Sequence, residues 1–337
     1  MPDIIPQKPK LLVIELWALG DLAIATPFLQ AASEQFAVTL LAKPHGRDLA
    51  ARLWPRVNVV PFIAPWTAFR HKYRLLSWPW KELLRLRSLR AERFEVGLSG
   101  RWDPRDHFLL RVLGARKRFG FPRAGSQFLL TNPLPHPGRL AHRYEQWRTA
   151  ALALGLELPA RGQIPRSPPR TSDRVMVHTG AGRPLRVWPL ARYRALIEHL
   201  RLQNYNVLVA CDPDQESWWQ EAGETKLATP RSVTELIGLL DRTGAFIGND
   251  SGPGHLAAIL GVPTFTLFGP QLSEWFAPLH PAAKWLDGGP CPYKPCSDYC
   301  RFSSPKCLLE LDEPLVCAQA AQFLAINIGK PAQCPKG

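Results

Sequence analysis

The turn at 248–255, GNDSGPGH, carries residue types suited to binding a phosphorylated ligand. The apolar run 245–247 predicts a buried strand entering the turn, and the run 256–260 predicts a short helix leaving it. Glycines let a backbone approach a ligand closely, and free N–H groups at a helix start favour an anion. Asp250 and Ser251 can bond sugar hydroxyls. The turn therefore fits a phosphorylated, hydroxyl-rich ligand, although helix capping alone would explain an isolated Asp-Ser-Gly string.

The elements around this turn predict an α/β fold class. A further apolar run at 264–268 predicts the next strand, so the turn joins a strand to a helix at the carboxyl end of a parallel strand. Open α/β sheets bind their ligands at that edge, which makes the turn a candidate binding site.

The N-terminal part of the chain shows the same strand–turn–helix order around Asp21. The continuous apolar run 11–14 predicts a buried strand, 22–36 have helical spacing, and 38–42 predict a second strand. This succession implies a parallel sheet. Taken alone, Asp21 would be interpreted as a helix N-cap.

A third strand–turn–helix unit opens the second half of the chain. Residues 175–178 predict a buried strand, the glycine-containing turn 179–182 follows, and a helix is expected from about 190 to 201. Arg186 lies between the turn and the helix, where it could bind phosphate or remain a solvated loop charge.

Three strings, at 11–29, 175–190 and 245–270, together resemble the signature of the heptosyltransferase family, glycosyltransferase family 9. The resemblance implies two Rossmann-like domains facing across a cleft, the glycosyltransferase B fold. It also implies inverting, metal-independent transfer of heptose from ADP-heptose to an inner-core lipopolysaccharide acceptor. The nucleotide sugar is then a substrate, and no cofactor is expected.

The resemblance also implies roles for individual residues. Asp21 would be the catalytic base. Trp17 stands where the family has a small or polar residue, and Arg186 stands where it has a lysine. The donor-binding residues would be Gly20, Thr179, Gly180, Gly182, Arg186, Asp250, Ser251, Gly252 and His255. A weaker donor-side role would fall on Trp188, Arg231 and Ser232.

The expected organisation has four parts. They are an acceptor-side domain at 1–158, a proline-rich linker at 159–173, a nucleotide-sugar domain at 174–311, and a C-terminal helix and tail at 312–337. In a two-domain transferase the C-terminal helix would return toward the first domain.

The net charge of +14 indicates an anionic partner. The segment 66–94 is basic and aromatic and contains an apolar leucine stripe, which is typical both of a segment lying on an anionic membrane and of an ordinary amphipathic surface helix. No zinc-finger or RNP-type string supports a nucleic-acid partner. The expected partners are a nucleotide-sugar donor, an acidic glycolipid acceptor and the anionic inner-membrane surface. The membrane or acceptor face would comprise Arg85, Arg87, Arg90 and Arg93.

No apolar stretch reaches the length of a transmembrane helix, and the N-terminal region lacks the pattern of a signal peptide. We therefore expect a cytoplasmic protein, peripheral at the inner face of the cytoplasmic membrane, whose cysteines are mostly thiols. Asp212 and Asp214 resemble a metal-binding Asp-x-Asp motif, but a solvent-exposed loop explains them better. The spacing of Cys291, Cys296, Cys300 and Cys307 matches no common zinc site and leaves metal binding there open.

Three alternatives remain at this point. They are a same-fold transferase using another nucleotide sugar for cell-surface glycan synthesis, a sugar-nucleotide 2-epimerase of similar fold, and a non-enzymatic membrane-surface protein. The donor sugar, the acceptor hydroxyl and the oligomeric state cannot be deduced from these residues.

Overall fold

The computed structural model describes residues 8–67, 81–164, 171–296 and 299–329. The chain divides into two units between Ala160 and Arg161. The expected linker, 159–173, spans this division, and its residues 165–170 lie outside the described part.

The first unit contains a six-stranded sheet with the order β3-β2-β1-β4-β5-β6, in which all neighbours are parallel. Its strands are β1 (Lys10–Glu15), β2 (Ala37–Ala42), β3 (Asn58–Pro61), β4 (Val96–Ser99), β5 (Lys117–Gly120) and β6 (Asn132–Pro133). Its helices are α1 (Leu19–Gln35), α2 (Gly46–Leu53), α3 (Lys81–Ala91), α4 (Pro104–Val112) and α5 (Arg143–Ala153).

The second unit has the corresponding sheet, with the parallel order β12-β11-β10-β7-β8-β9. Its strands are β7 (Arg174–His178), β8 (Asn206–Ala210), β9 (Leu227–Ala228), β10 (Ala245–Asn249), β11 (Thr264–Phe268) and β12 (Lys284–Asp287). Its helices are α6 (Leu190–Leu202), α7 (Glu216–Glu221), α8 (Val233–Leu240), α9 (Gly252–Ile259), α10 (Ser273–Phe276), α11 (Lys306–Leu309) and α12 (Glu313–Asn327).

The two sheets share one topology, which confirms the predicted α/β class with two parallel sheets. In each sheet the first strand, β1 or β7, lies between the second and fourth strands of its unit, so the direction of strand succession reverses there. Ligands of doubly wound sheets bind at the carboxyl ends of the strands beside this reversal. Functional side chains are therefore expected on the segments that follow β1 and β4 in the first unit, and β7 and β10 in the second.

Both helices next to the expected sites begin earlier than the apolar spacing predicts. Helix α1 begins at Leu19, not at residue 22, because the Asp21 carboxylate accepts a hydrogen bond from the Ala18 N–H at 3.2 Å and completes the first turn. Helix α9 begins at Gly252, not at residue 256, since the extended Ser251 allows Gly252 and Pro253 to form its first turn.

The C-terminal helix α12 packs into the core of the second unit. Val316, Ala320 and Phe323 join the buried side chains of β7 and α6 there. Apolar burial against its own unit thus accounts for the packing of this helix, and its expected return toward the first domain stays a prediction. In the described ranges, no helix is long and apolar enough to cross a membrane.

Candidate active site

A buried carboxylate, Glu15, ends β1 at the point where the first sheet reverses. Its side chain is 0% exposed and lies between two arginines. Arg101, which follows β4, donates from Nε to Oε1 at 3.2 Å, and Arg143, which opens α5, donates from Nη2 to Oε2 at 2.9 Å. A buried carboxylate needs such partners, so Glu15 fixes both guanidinium groups at the carboxyl edge of the sheet.

Asp21 lies beside the same two arginines. Its Oδ1 pairs with Arg101 Nη2 and lies 3.8 Å from Arg143 Nε, while Oδ2 accepts from the Ala18 N–H. The side chain remains 12% exposed. Asp21 is therefore not the N-cap of α1, which is Ala18, but the third residue of the helix; its carboxylate bonds back to the Ala18 N–H and also lies at the ligand-binding edge. Gly20, buried in the same helical turn, puts no side chain beside it.

The positive charge around Asp21 is shaped by burial and by the neighbouring carboxylates. Burial lowers the pKa of Arg101, but the nearby Asp21 and Glu15 carboxylates outweigh it and raise that pKa. Burial and the Arg101 charge lower the pKa of Arg143 to about 10. Burial also lowers the pKa of Lys43, while Asp21 and Glu15 oppose that effect. Three cations thus surround two carboxylates.

In the second unit, Asn249 at the end of β10 holds the turn that follows β7. Its Nδ2 donates to the Thr179 carbonyl oxygen at 2.9 Å, and its Oδ1 accepts from the Trp188 N–H at 3.0 Å. Asn249 is fully buried, so both bonds are made out of contact with water. The turn 179–182, the 188 backbone and the Asp250 turn are therefore fixed to one another by a single amide.

Asp250, Arg186 and His255 form a polar group at the start of α9. Arg186 Nη1 lies 3.3 Å from Asp250 Oδ2, and His255 Nε2 lies 3.8 Å from Asp250 Oδ1. Among the described residues, the buried atoms Ser251 Oγ, His255 Nδ1 and Arg186 Nε have no hydrogen-bond partner. Buried polar atoms in proteins are normally bonded, so these atoms can bind a ligand beside the N–H groups of Gly252 and its neighbours.

The turn after β7 requires its first glycine. A Cβ on Gly180 would lie 2.3 Å from Cγ of Asp212, whereas one on Gly182 would meet nothing within 4 Å. The Thr179 hydroxyl donates to Gln215 Oε1 at 2.9 Å and accepts from Trp219 Nε1 at 3.1 Å, so it braces the turn. The Thr179 side chain therefore stabilises the turn that the sequence predicts to bind the donor.

Asp212 immediately precedes the 3₁₀ segment Pro213–Gln215, and Asp214 is the middle residue of that segment. Asp214 is exposed as expected, but Asp212 is half-buried, and its Oδ1 lies 4.0 Å from His178 Nε2. Burial lowers the pKa of His178, and the Asp212 carboxylate opposes this shift. Asp212 therefore packs under the turn after β7.

The weaker donor-side residues occupy structural positions. The Trp188 indole is 0% exposed and donates to the Leu311 carbonyl oxygen at 3.3 Å, so packing accounts for this side chain. Only the Trp188 N–H bonds Asn249. The Ser232 hydroxyl caps α8 by accepting from the Glu235 N–H at 3.1 Å. Arg231 is exposed, and its Nη2 lies 3.4 Å from Glu216 Oε2.

Helix α3 carries three of the four arginines assigned to a membrane or acceptor face. Arg85 Nη1 donates to Glu82 Oε1 at 2.8 Å and to the Pro61 carbonyl oxygen at 2.9 Å. Arg90 Nη1 donates to the Val112 carbonyl oxygen at 2.5 Å. Arg87 and Arg93 are exposed. The leucine stripe is divided: Leu86 and Leu89 pack against the core of the first unit, whereas Leu84 is 68% exposed. Of the segment 66–94, residues 68–80 lie outside the described part.

The six described cysteines are all free thiols. Burial raises the pKa of Cys296 and Cys307, as expected for thiols shielded from water. In the described ranges no group of three or more His, Cys, Asp or Glu side chains is arranged to hold a metal ion.

Sequence reasoning missed Glu15, Arg101, Arg143 and Asn249. Glu15 is the last residue of β1, and Arg101 lies two residues beyond β4. A charged residue at the end of a buried parallel strand, or just beyond it, is the signal that could have marked both, because such residues lie at the ligand-binding edge.

Comparisons with known proteins identify the family and the fold of the chain. The model of glycosyltransferase family 9 (heptosyltransferase) matches residues 85–302. Lipopolysaccharide heptosyltransferase 3 of Escherichia coli is 31% identical over 104 residues, which cover 28% of this chain and 31% of that protein. The match thus spans about a third of the length of this curated relative.

Solved structures show the same fold over nearly the whole chain. The E. coli heptosyltransferase WaaC with ADP has a TM-score of 0.71 at 15% identity, covering 93% of this chain and 99% of that one. The iron-containing dodecameric glycosyltransferase TibC of enterotoxigenic E. coli has a TM-score of 0.57 at 18% identity, covering 94% and 76%.

Proposed function

We propose a specific reaction for this chain, which belongs to glycosyltransferase family 9 (heptosyltransferase). The chain transfers heptose from ADP-heptose to a lipopolysaccharide inner-core acceptor, with inversion at the anomeric carbon and without a metal ion. One observation carries the proposal: each sheet has polar groups at its reversal point, a carboxylate after β1 and an anion-binding helix start after β10.

Asp21 acts as the general base in this proposal. It takes the proton of the acceptor hydroxyl, whose oxygen forms a bond to the anomeric carbon while the bond to ADP breaks and the diphosphate oxygen keeps the electron pair. The support is a carboxylate that is 12% exposed at the ligand-binding edge, with one oxygen fixed by the Ala18 N–H.

The second unit binds the donor. Arg186 and the first N–H groups of α9 stabilise the charge that develops on the diphosphate, and Asp250 accepts from a sugar hydroxyl. The arrangement that supports this is the Arg186–Asp250 pair at 3.3 Å beside the unbonded Ser251 hydroxyl and His255 Nδ1. A metal ion is not required where an arginine and a helix start already provide positive charge.

The test is an assay of purified protein with a heptose-deficient lipopolysaccharide fragment. ADP-heptose, UDP-sugars and GDP-sugars are offered in turn, with and without EDTA, and the product is identified by mass spectrometry and its anomeric configuration by NMR. We expect product from ADP-heptose, with inverted configuration and unchanged in EDTA.

Each other outcome overturns a stated part of the proposal. Product from another sugar nucleotide would identify a different donor. A free 2-epimer without transfer would indicate an epimerase, and no reaction with any donor would favour a non-enzymatic membrane-surface protein. Loss of activity in EDTA, restored by Mg²⁺ or Mn²⁺, would contradict metal independence.

We also propose that the enzyme works at the inner face of the cytoplasmic membrane, where an acidic glycolipid acceptor would lie. The supporting feature is the exposed basic surface of Arg87 and Arg93 with the exposed Leu84.

A further inference from the structure

The cluster around Glu15 and Asp21 contains more positive charge than these two carboxylates neutralise. Arg101 and Arg143 contact both carboxylates, and the charge of Lys43 is near enough to interact with them. Burial lowers the pKa of Lys43, and the Asp21 and Glu15 carboxylates oppose that shift. Asp106, the third carboxyl group near Arg101, has its pKa raised to about 8 and is largely protonated at neutral pH. The three cations therefore exceed the two ionised carboxylates by one positive charge, which favours an anionic ligand at this edge.

The two arginines differ in their exposure and in their partners. Arg143 is 6% exposed and is held by Glu15 Oε2 and by the Gly100 carbonyl oxygen. Arg101 is 20% exposed, and its guanidinium lies 4.8 Å from the centre of the Trp17 ring. Its Nε bond to Glu15 can serve as a pivot, because sliding over a flat ring moves Nη2 away from Asp21 while Nε stays near Glu15.

The present position of Arg101 opposes the work of a base. Asp21 Oδ2 is bonded to the Ala18 N–H, and Arg101 Nη2 pairs with Oδ1, the other oxygen. A general base must reach the hydroxyl that it deprotonates, and a guanidinium on the same oxygen makes the carboxylate a weaker proton acceptor.

We propose that Arg101 is a positioning residue that releases Asp21 only when the acceptor brings its own anionic group. A carboxylate or phosphate next to the accepting hydroxyl draws Arg101 Nη2 away from Asp21 Oδ1 and pairs with it instead. The hydroxyl then occupies the freed lone pair of Oδ1. The mechanism selects acidic acceptors by coupling their charge to the activity of the base, and it rests on the proposed role of Asp21.

The test compares acceptors within one enzyme preparation. The kcat/KM is measured for the intact acceptor, for the acceptor with its carboxylates methyl-esterified, and for the acceptor with its phosphates removed. For the wild type we expect one of the two modifications to lower kcat/KM about 10–100-fold, the range for a lost hydrogen bond between charged groups. Which modification does so identifies the anion as a carboxylate or a phosphate.

The informative variant is Arg101→Gln. It should reduce that discrimination to less than about threefold, since a neutral side chain neither blocks Asp21 nor recognises an anion. Because each ratio is taken within one preparation, a fraction of misfolded protein cancels. Arg101→Lys keeps the positive charge but lacks the paired N–H donors of a guanidinium group. This variant should therefore keep part of the difference in kcat/KM between intact and modified acceptor. Full discrimination by Arg101→Gln would overturn the inference.

The pH profile gives a readout that a purely structural role would not change. The acidic limb of kcat/KM reports the free enzyme and that of kcat reports the enzyme–substrate complex. In the wild type with intact acceptor we expect the kcat limb at the higher pH, since Arg101 has left Asp21 in that complex. In Arg101→Gln the two limbs should coincide. Coincident limbs in the wild type would contradict the release of Asp21.

Two further enzymes separate the possible failures. Arg56→Gln, in an exposed pair with Glu34 near the far end of α1, should keep the wild-type discrimination. If Asp21→Asn keeps full turnover, the proposed base is wrong and this inference falls with it. If Asp21→Asn loses turnover while Arg101→Gln still discriminates fully, the base stands and only the Arg101 mechanism is rejected.

Discussion

Asn249 Nδ2 donates to the Thr179 carbonyl oxygen at 2.9 Å and so joins the end of β10 to the turn after β7. The two residues are 70 positions apart in the chain, and both are fully buried. The two segments that we assign to the donor site therefore keep their relative position through one amide side chain.

Replacing Asn249 by Asp should disturb that site and the stability of its unit. The carboxylate would face the Thr179 carbonyl oxygen, repel it and remove its 2.9 Å donor, leaving only the longer bond from Gln215 Nε2 at 3.4 Å, at a cost of about 1–3 kcal/mol in the free energy of unfolding. Denaturant unfolding measures the loss. Asn327→Asp is the matched control, since Asn327 Nδ2 also donates to a carbonyl oxygen, at 2.8 Å, but in a half-buried position where the loss should be smaller.

Asp21→Asn should lower turnover by about 10²–10⁴, because the amide keeps the shape of the carboxylate but cannot accept the proton. Donor affinity should change little, since we assign donor binding to the other unit. Steady-state kinetics with calorimetry of donor binding check both expectations. Near-normal turnover would remove Asp21 from the mechanism.

Asp250→Ala should weaken donor binding while the fold persists. The substitution removes the partner of Arg186 and an acceptor for a sugar hydroxyl, which we expect to lower affinity about 10–100-fold if a charged hydrogen bond to the donor is lost. Calorimetric titration with ADP-heptose measures the change. Asp214→Ala, at an exposed position, is the control, and equal affinities of the two variants would argue against the assignment.

Asp106 should make stability depend on pH. Burial, and then the charges of Asp103 and Glu15, raise its pKa to about 8 against the opposing Arg101. Between the unfolded pKa near 4 and this value the folded state binds more protons, so stability should fall as pH rises, by up to about 1.4 kcal/mol per pH unit. Asp106→Asn should flatten this slope in denaturant unfolding between pH 5 and 8. Asp173→Asn, at an exposed position, is the control and should leave the slope of stability against pH unchanged.

Arg87→Gln combined with Arg93→Gln should weaken binding to anionic vesicles at low salt. Each exposed basic side chain contributes about 1 kcal/mol near such a surface, so roughly a 10- to 30-fold loss is expected. Stability should hold, whereas replacing Arg85 or Arg90 also breaks the bonds to Glu82 and to the Val112 carbonyl. Vesicle sedimentation is the measurement, with Arg56→Gln plus Arg194→Gln as control. Equal vesicle binding by the two double variants would show that Arg87 and Arg93 form an ordinary solvated surface and not a membrane-binding one.

The strands and the Asp250 turn were predictable because local sequence determines them. Apolar runs place β1, β7 and β10, and a string of glycines and polar residues marks the joint after β10. The Glu15–Arg143 bond joins residues 128 positions apart, and no local pattern indicates which cation meets which carboxylate. The role of Trp188 also escaped prediction, because burial of an indole depends on how distant segments pack around it.

The shared strand order of the two units has a practical consequence for protein engineering. In the first unit Asp21 and Arg101 follow the first and fourth strands, and Lys43 follows the second. The described residues between β3 and β4 contribute none of these groups, so the connection after β3 is the position at which loops could be exchanged between homologues to redirect acceptor choice. The second unit has its own sheet and its own ligand-binding edge, so it could be kept unchanged in such exchanges as the unit to which we assign nucleotide-sugar binding.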